Sequence, residues 1–292
     1  MVLLTKSNRH QARFCYLIAK NTLSESPQKS EPGQDQRPIE PALKSILDTR
    51  TVMEERLHLI IMSEVIDEPA LRNKIGVFGD RLDAGELLTK KLLEYRNSGD
   101  AYVVAIPAGG VQVAIVVANR LELPLDLVVT RKIHVPWNKE AGFGAISWDG
   151  MVLLNEPLVA SLGLKKEDID RCVAEETEII RRRLEGFRGN RPFPNLEQRT
   201  VIVIDDGLAS GFSMLTTVKA IGQKAVKEVV VAVPTAPVSA INLLRPHVDK
   251  IICLNIRSGP FFAVASAYKT WYDLDDKDVI DILKQRKLPK GD

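Results

Sequence analysis

The sequence predicts an α/β fold: an open, twisted, parallel sheet flanked by helices. Three observations predict it. Short runs rich in β-branched residues alternate with stretches whose apolar residues recur at helical spacing. The connections between them are short. The central run, Val201-Ile-Val-Ile204, is apolar throughout, as in a strand covered on both faces.

The elements follow in order. Residues 1–72 form an N-terminal extension, and 73–292 form the main domain. The first 24 residues carry Lys6, Arg9, Arg13 and Lys20 and no acid. That composition fits an organellar transit peptide or a loosely helical extension. Ser24 to Arg37 is polar and interrupted by proline and glycine, a linker pattern. Ile39 to Ile66 holds Leu43, Ile46, Leu47, Leu57, Ile60 and Ile61 at helical spacing, which predicts one or two helices.

In the main domain, Asp80 to Tyr95 is expected to be a helix with Leu82, Leu87, Leu88, Leu92 and Leu93 on its apolar side. Ala101 to Ile106 is a strand, Pro107-Ala-Gly-Gly110 a tight loop, Val111 to Leu121 a helix and Leu125 to Thr130 a strand. Pro136 to Gly144 is rich in breakers and is expected to be a mobile loop. Ala145–Ser147 and Met151–Asn155 are expected to pair around Asp149-Gly150, a favoured turn dipeptide. Lys165 to Phe187 is a long charged helix. The rest alternates: the Val201 strand, the Met214–Gly222 helix, the Val229–Val233 strand, a helix near Val238–Leu244 and the Lys250–Leu254 strand.

Composition excludes several classes of function. The net charge of +2 gives no global electrostatic case for nucleic-acid or membrane binding. No apolar run approaches the roughly 20 residues of a membrane helix. The three cysteines, Cys15, Cys172 and Cys253, form no C-x-x-C pair, and the four histidines show no H-E-x-x-H spacing. A transition-metal site is not expected. Reduced cysteines without a secretory signal predict a cytoplasmic protein, with an organellar location as the alternative that the basic N-terminus leaves open.

The chemistry concentrates at Asp205-Asp-Gly-Leu-Ala-Ser-Gly-Phe-Ser213, directly after the central strand. Open parallel sheets bind ligands outside the carboxyl ends of their strands. Asp205 and Asp206 are expected there as surface carboxylates. They can accept hydrogen bonds from sugar hydroxyls and help hold a magnesium ion. Leu208, Ala209, Ser210, Gly211, Phe212 and Ser213 form a small-residue loop that opens a helix. Its backbone N–H groups, two hydroxyls and helix dipole favour a phosphate. One acid capping the next helix with the other solvated, followed by a Ser-rich helix cap, is the plain alternative. No G-K-[ST] occurs, so this is not a P-loop. The acids are adjacent rather than D-x-D, which sets aside a phosphatase with an aspartyl nucleophile.

This stretch resembles the phosphoribosyl pyrophosphate (PRPP) motif of the type I phosphoribosyltransferases at Asp205, Asp206, Ala209, Ser210, Gly211 and Ser213. It departs from the motif at Phe212, where glycine is usual. Ala105-Ile-Pro-Ala-Gly-Gly-Val111 matches the family's pyrophosphate loop, which the resemblance implies is Ala108, Gly109 and Gly110, often with a non-proline cis peptide. Relatives often place a cation where this chain has Ala108. Arg131 and Lys132 match a basic position near pyrophosphate, and Glu140 lies in the segment matching the catalytic loop. Phe78-Gly-Asp-Arg-x-x-Ala-Gly85, Arg131-Lys-x-x-Val-Pro-x-Asn138 and Trp271-Tyr-Asp273 resemble one subgroup of that family, the predicted phosphoribosyltransferases.

The resemblance implies transfer of ribose 5-phosphate from PRPP, with magnesium, to a nitrogen acceptor such as a purine-like base. Asp205, Asp206 and Glu140 would be the catalytic acids. A small hood within residues 155–191, an acceptor contact at Phe261 or Phe262, and a homodimer are further implications. Packing of the Phe pair into the core is the alternative at 261–262. A PRPP- or nucleotide-binding regulatory protein on the same fold, with little or no transfer activity, is equally compatible with the fold.

Overall fold

The computed structural model describes residues 63–189 and 191–285, with the side chains of Lys139, Glu140 and Gln285 outside that description. The readings made for residues 1–62 lie outside the described residues. The helical reading of Ile39 to Ile66 is corrected at its end, because Glu64–Ile66 is a strand, β1. Its residues pair in parallel with Lys250–Ile252, so these positions belong to the sheet and not to an extension.

The remaining sheet strands are β2 (Ala101–Ala105), β3 (Leu125–Leu127), β7 (Thr200–Ile204), β8 (Glu228–Pro237) and β9 (Lys250–Arg257). They form one six-stranded sheet in the order β1-β9-β8-β7-β2-β3, with every pair parallel. The expected open parallel sheet flanked by helices is the observed fold. Alternation within β7 shows why its sequence is apolar throughout. Val201 and Val203 enter one core with Met214, Val218 and Ile241, while Ile202 and Ile204 enter the other with Leu88, Val111 and Val117.

Helices α1 (Arg81–Lys91) and α2 (Gly109–Leu121) cover one face; α5 (Phe212–Gly222) and α6 (Val238–Leu244) cover the other. Asp80 caps α1, its side chain accepting from the Asp83 N–H. With the helix starting at Arg81, Ala84, Gly85 and Leu88 face inward and Leu82 faces solvent. Leu82 and Leu93 are therefore exposed, contrary to their expected place on the apolar side. Gly85 lets α1 approach α2: a Cβ there would lie 2.8 Å from Val116 Cβ and 3.0 Å from the Val113 carbonyl.

Pro136 to Gly144 is not a loop. β4 (Thr130–Val135) and β5 (Asn138–Ser147) form an antiparallel hairpin across it, and β6 (Val152–Leu154) adds a third strand. The glycines that looked like breakers serve close packing. A Cβ at Gly142 would lie 2.2 Å from the Lys132 side chain, and one at Gly144 would lie 2.6 Å from the Leu153 carbonyl. The expected turn at Asp149-Gly150 is present, with Gly150 at φ +86°. Helices α3 (Glu156–Leu162) and α4 (Lys166–Arg188) follow, and α7 (Asp276–Gln285) ends the described chain.

Gly85→Ala should destabilise the protein by about 1–3 kcal/mol through overpacking, despite the better helix propensity of alanine. A urea unfolding midpoint equal to or above that of the wild type would show that the α1–α2 approach tolerates a methyl group.

Candidate functional site

The sheet order places β2 at a switch point. The chain runs from β2 outward to β3, then returns to lay β7 on the other side of β2. Crevices at such points are where open α/β sheets bind ligands. Two loops leave adjacent strands there. Pro107–Gly110 follows β2, and Asp205–Gly211 follows β7. The Ile106 N–H donates to the Ile204 carbonyl at 3.0 Å, holding the strand ends level.

Each loop opens a helix, so two helix N-termini lie at the same edge of the sheet. Ala108 precedes α2 without a capping side chain, and Gly211 precedes α5 in the left-handed conformation at φ +79°. Neither first turn contains an acidic residue. The peptide between Pro107 and Ala108 is cis, as the resemblance implied. In the second loop Ser210 and Ala209 are exposed, Phe212 and Ser213 are half-buried and Leu208 is buried. The Phe212 N–H donates to Ser210 Oγ at 3.3 Å. Gly211 packs near α6, where an added Cβ would lie 3.1 Å from Ala240 Cβ.

The two loops touch through their glycines. A Cβ on Gly109 would lie 1.8 Å from Asp206 Oδ2, and one on Gly110 would lie 2.9 Å from Asp205 Cα and from the Ile204 carbonyl. The Gly-Gly pair is thus required for the acids to fit behind the first loop, whatever it offers a ligand.

Asp205 and Asp206 are not surface carboxylates. The Asp206 side chain is 14% exposed and ion-paired to Arg81, whose Nε donates to Oδ2 at 2.8 Å from a side chain only 4% exposed. The expectation of surface carboxylates fails because the strand end is roofed by a segment distant in sequence. Arg81 Nη1 donates to the Tyr272 carbonyl at 2.8 Å, and its guanidinium carbon lies 4.0 Å from the centroid of Trp271. The Tyr268 hydroxyl donates to the Asp206 carbonyl. Burial, reinforced by the neighbouring Asp206 charge, pushes the Asp205 carboxyl well above its ordinary range. Burial also raises Asp206, against the opposing pull of Arg81.

The other expected residues belong to other elements. Arg131 and Lys132 are on β4, in the three-stranded sheet. Arg131 Nε donates to Glu176 of α4 at 2.7 Å, and the same carboxylate lies 2.8 Å from His134 Nδ1. Lys132 lies against Gly142. Glu140 is in β5, and its side chain lies outside the described residues. Phe261 is 90% exposed, which removes core packing as its explanation, while Phe262 packs beneath the Arg257 guanidinium at 5.6 Å.

Sequence reasoning missed Arg81 and Tyr268. Arg81 stood in a quoted motif, but its separation of 125 residues from Asp206 offers no spacing signal.

A family model described as phosphoribosyl transferase domain matches residues 80–260, and the chain belongs to that family. Two curated relatives from strains of Mycobacterium tuberculosis, each named "Putative phosphoribosyl transferase", are 35% identical to it over 208 residues. The alignment covers 71% of this chain and 46% of each relative, so the chain spans about half the length of the curated relatives it matches. The crystal structure of TT1426 from Thermus thermophilus is similar at 33% identity and a TM-score of 0.59, covering 71% of this chain and 98% of that one.

Asp206→Asn should cost about 3 kcal/mol of stability, because it leaves the Arg81 charge buried without its counterion. An unchanged denaturation midpoint would show that the pair contributes nothing net. Asp205 carries the opposite sign. Its folded-state value lies above the ordinary 3.8, so the native protein holds a proton that the unfolded chain releases. The corresponding stability is fully present below that ordinary value and lost as pH rises through the raised one. The melting temperature of Asp205→Asn should therefore gain on that of the wild type as pH increases; a difference independent of pH would refute the raised value.

Proposed function

We propose that the protein transfers ribose 5-phosphate from PRPP to a nitrogen acceptor, a purine-like base being the first candidate, and releases pyrophosphate. The observation that supports this most is the contact of two anion-favouring loops with a half-buried acid pair at the sheet's switch point. In this reading the 5-phosphate sits on Leu208–Ser213 at the N-terminus of α5. Pyrophosphate sits near Ala108, Gly109 and Gly110 at the N-terminus of α2, with Arg131 and Lys132 as the basic side chains on its far side. Two helix termini aimed at one crevice favour a ligand with phosphates at both ends.

Asp205 and Asp206 would accept hydrogen bonds from the ribose hydroxyls and help hold magnesium. Among the described residues no group of three or more acids, histidines or cysteines is placed to hold a metal ion. A pair of carboxylates suits magnesium, which typically binds through one or two such groups together with substrate oxygens and water. When bound, it supplies charge neutralisation for the departing pyrophosphate. The chain's own residues orient the ribose, hold both phosphates and exclude water. These are the contributions a reaction through an oxocarbenium-like state needs most. Glu140 on β5 is the proposed acid–base group for the acceptor. Exposed Phe261 is its proposed stacking surface. The hood role proposed for residues 155–191 draws on Glu176 of α4, which reaches Arg131 on β4.

A second reading, a PRPP- or nucleotide-binding regulator, is favoured by two residues. Ala108 brings no cation to the first loop, and Phe212 stands where the motif has glycine.

Calorimetric titration with magnesium–PRPP should show binding, and a panel of bases should reveal one that releases pyrophosphate. No binding at millimolar ligand would exclude both readings, while binding without release for any base would favour the regulator. Ser210→Ala should weaken PRPP binding by roughly 1.5–3 kcal/mol, the worth of a charge-assisted hydrogen bond. An unaltered dissociation constant would reduce that serine to a helix cap.

A further inference from the structure

Three stretches distant in sequence meet at one carboxylate. The backbone of residues 266–270 runs along 76–79: the Phe78 N–H donates to Ala267, and the Lys269 and Thr270 N–H groups donate to Phe78 and Gly79. This brings Trp271 and Tyr272 over the first turn of α1, where Arg81 projects toward Asp206. The guanidinium is used on three sides. Nε meets the Asp206 carboxylate, Nη1 meets the Tyr272 carbonyl and one face lies on the Trp271 ring. Tyr268 closes the arrangement by donating to the Asp206 carbonyl and lying 5.2 Å, centroid to centroid, from Trp271. A second tie reaches the first loop's helix, since Gln112 Nε2 of α2 donates to the Tyr272 hydroxyl at 2.8 Å.

We infer that Arg81 is a positioning residue: it clasps Asp206 to the Trp271–Tyr272 segment, so that the orientation of the acid and the seating of that segment form one arrangement on which affinity for magnesium–PRPP depends. The consequence for affinity rests on the phosphoribosyl reading above; the clasp itself does not. Geometry supports a positioning role over a general contribution to packing. The carboxylate oxygen that Arg81 holds is the one for which Gly109 leaves room, so the orientation that Arg81 fixes is the one that fits the first loop. The contacts also require arginine. Lysine has no second N–H direction fixed by a plane and no flat face for an indole.

The experiment uses the full 292-residue chain with Trp137→Phe and Trp148→Phe, which leave Trp271 as the sole indole. In that background Arg81→Lys, Asp206→Asn and the double variant are compared in two ways. Acrylamide quenching of Trp271 in ligand-free protein should rise at least twofold in each single variant and no further in the double. Unchanged quenching in Asp206→Asn would overturn the clasp. Calorimetric titration with magnesium–PRPP should show affinity falling tenfold or more in Arg81→Lys, with the double variant no weaker than Asp206→Asn alone. Wild-type affinity in Arg81→Lys, or losses that simply add, would overturn the positioning role even if the melting temperature falls. If Asp206→Asn does not fold, Arg81→Lys, which keeps the charge, carries both measurements. Failure of the wild type to bind PRPP would refute the functional reading and the affinity consequence together, while the quenching result still decides the clasp.

Discussion

The ion pair between Arg81 and Asp206 is the interaction on which the rest of the site depends. A buried arginine needs a counterion, and a buried carboxylate needs donors. Here each supplies the other at the point where α1, β7 and the segment around Trp271 converge. The requirement extends outward. Gly109 must lack a side chain to admit the acid, Tyr268 must reach the carbonyl behind it, and Trp271 must cover the guanidinium. An acid pair that would repel itself in a low-dielectric setting is retained because one member is neutralised from within the protein.

That arrangement divides the work of the crevice. Asp206 is neutralised by Arg81 and Asp205 is shifted toward its protonated form, while the first turns of α2 and α5, at the same edge of the sheet, carry no acidic residue. Ala108 brings no charge to the first loop, so that loop offers peptide groups alone. The price is a strict demand on backbone position, and the close approaches at Gly109, Gly110 and Gly211 show how tightly that position is held.

The three-stranded antiparallel sheet adds a second layer. Glu176 of α4 holds both Arg131 and His134 on β4, so one of the two basic residues expected near pyrophosphate, Arg131, is paired with an acid from a following helix. At the C-terminal end of the same helix, Arg188 pairs with Asp126 of β3, anchoring α4 to the main sheet's edge. The long helix is therefore tied at two points by buried or half-buried charge. The surface pairs along it, such as Arg181 with Glu178 and Glu185, contribute far less.

By itself the sequence determined the parallel sheet, the order of its elements and the two loops at the strand ends. These are local properties: β-branched runs, helical periodicity and a small-residue loop after two acids are all legible in short stretches of chain. The turn at Asp149-Gly150 was legible for the same reason. The hairpin through Pro136–Gly144 was not, because its glycines are explained only by Lys132 and Leu153 across the strands. Nor was the burial of Asp206, which depends on partners at positions 81, 268 and 271–272. Only the tertiary structure could turn two expected surface carboxylates into a half-buried pair with an internal counterion. Solvation and pairing are set by what the folded chain brings alongside a residue, and no spacing in the sequence encodes a contact made across 125 positions.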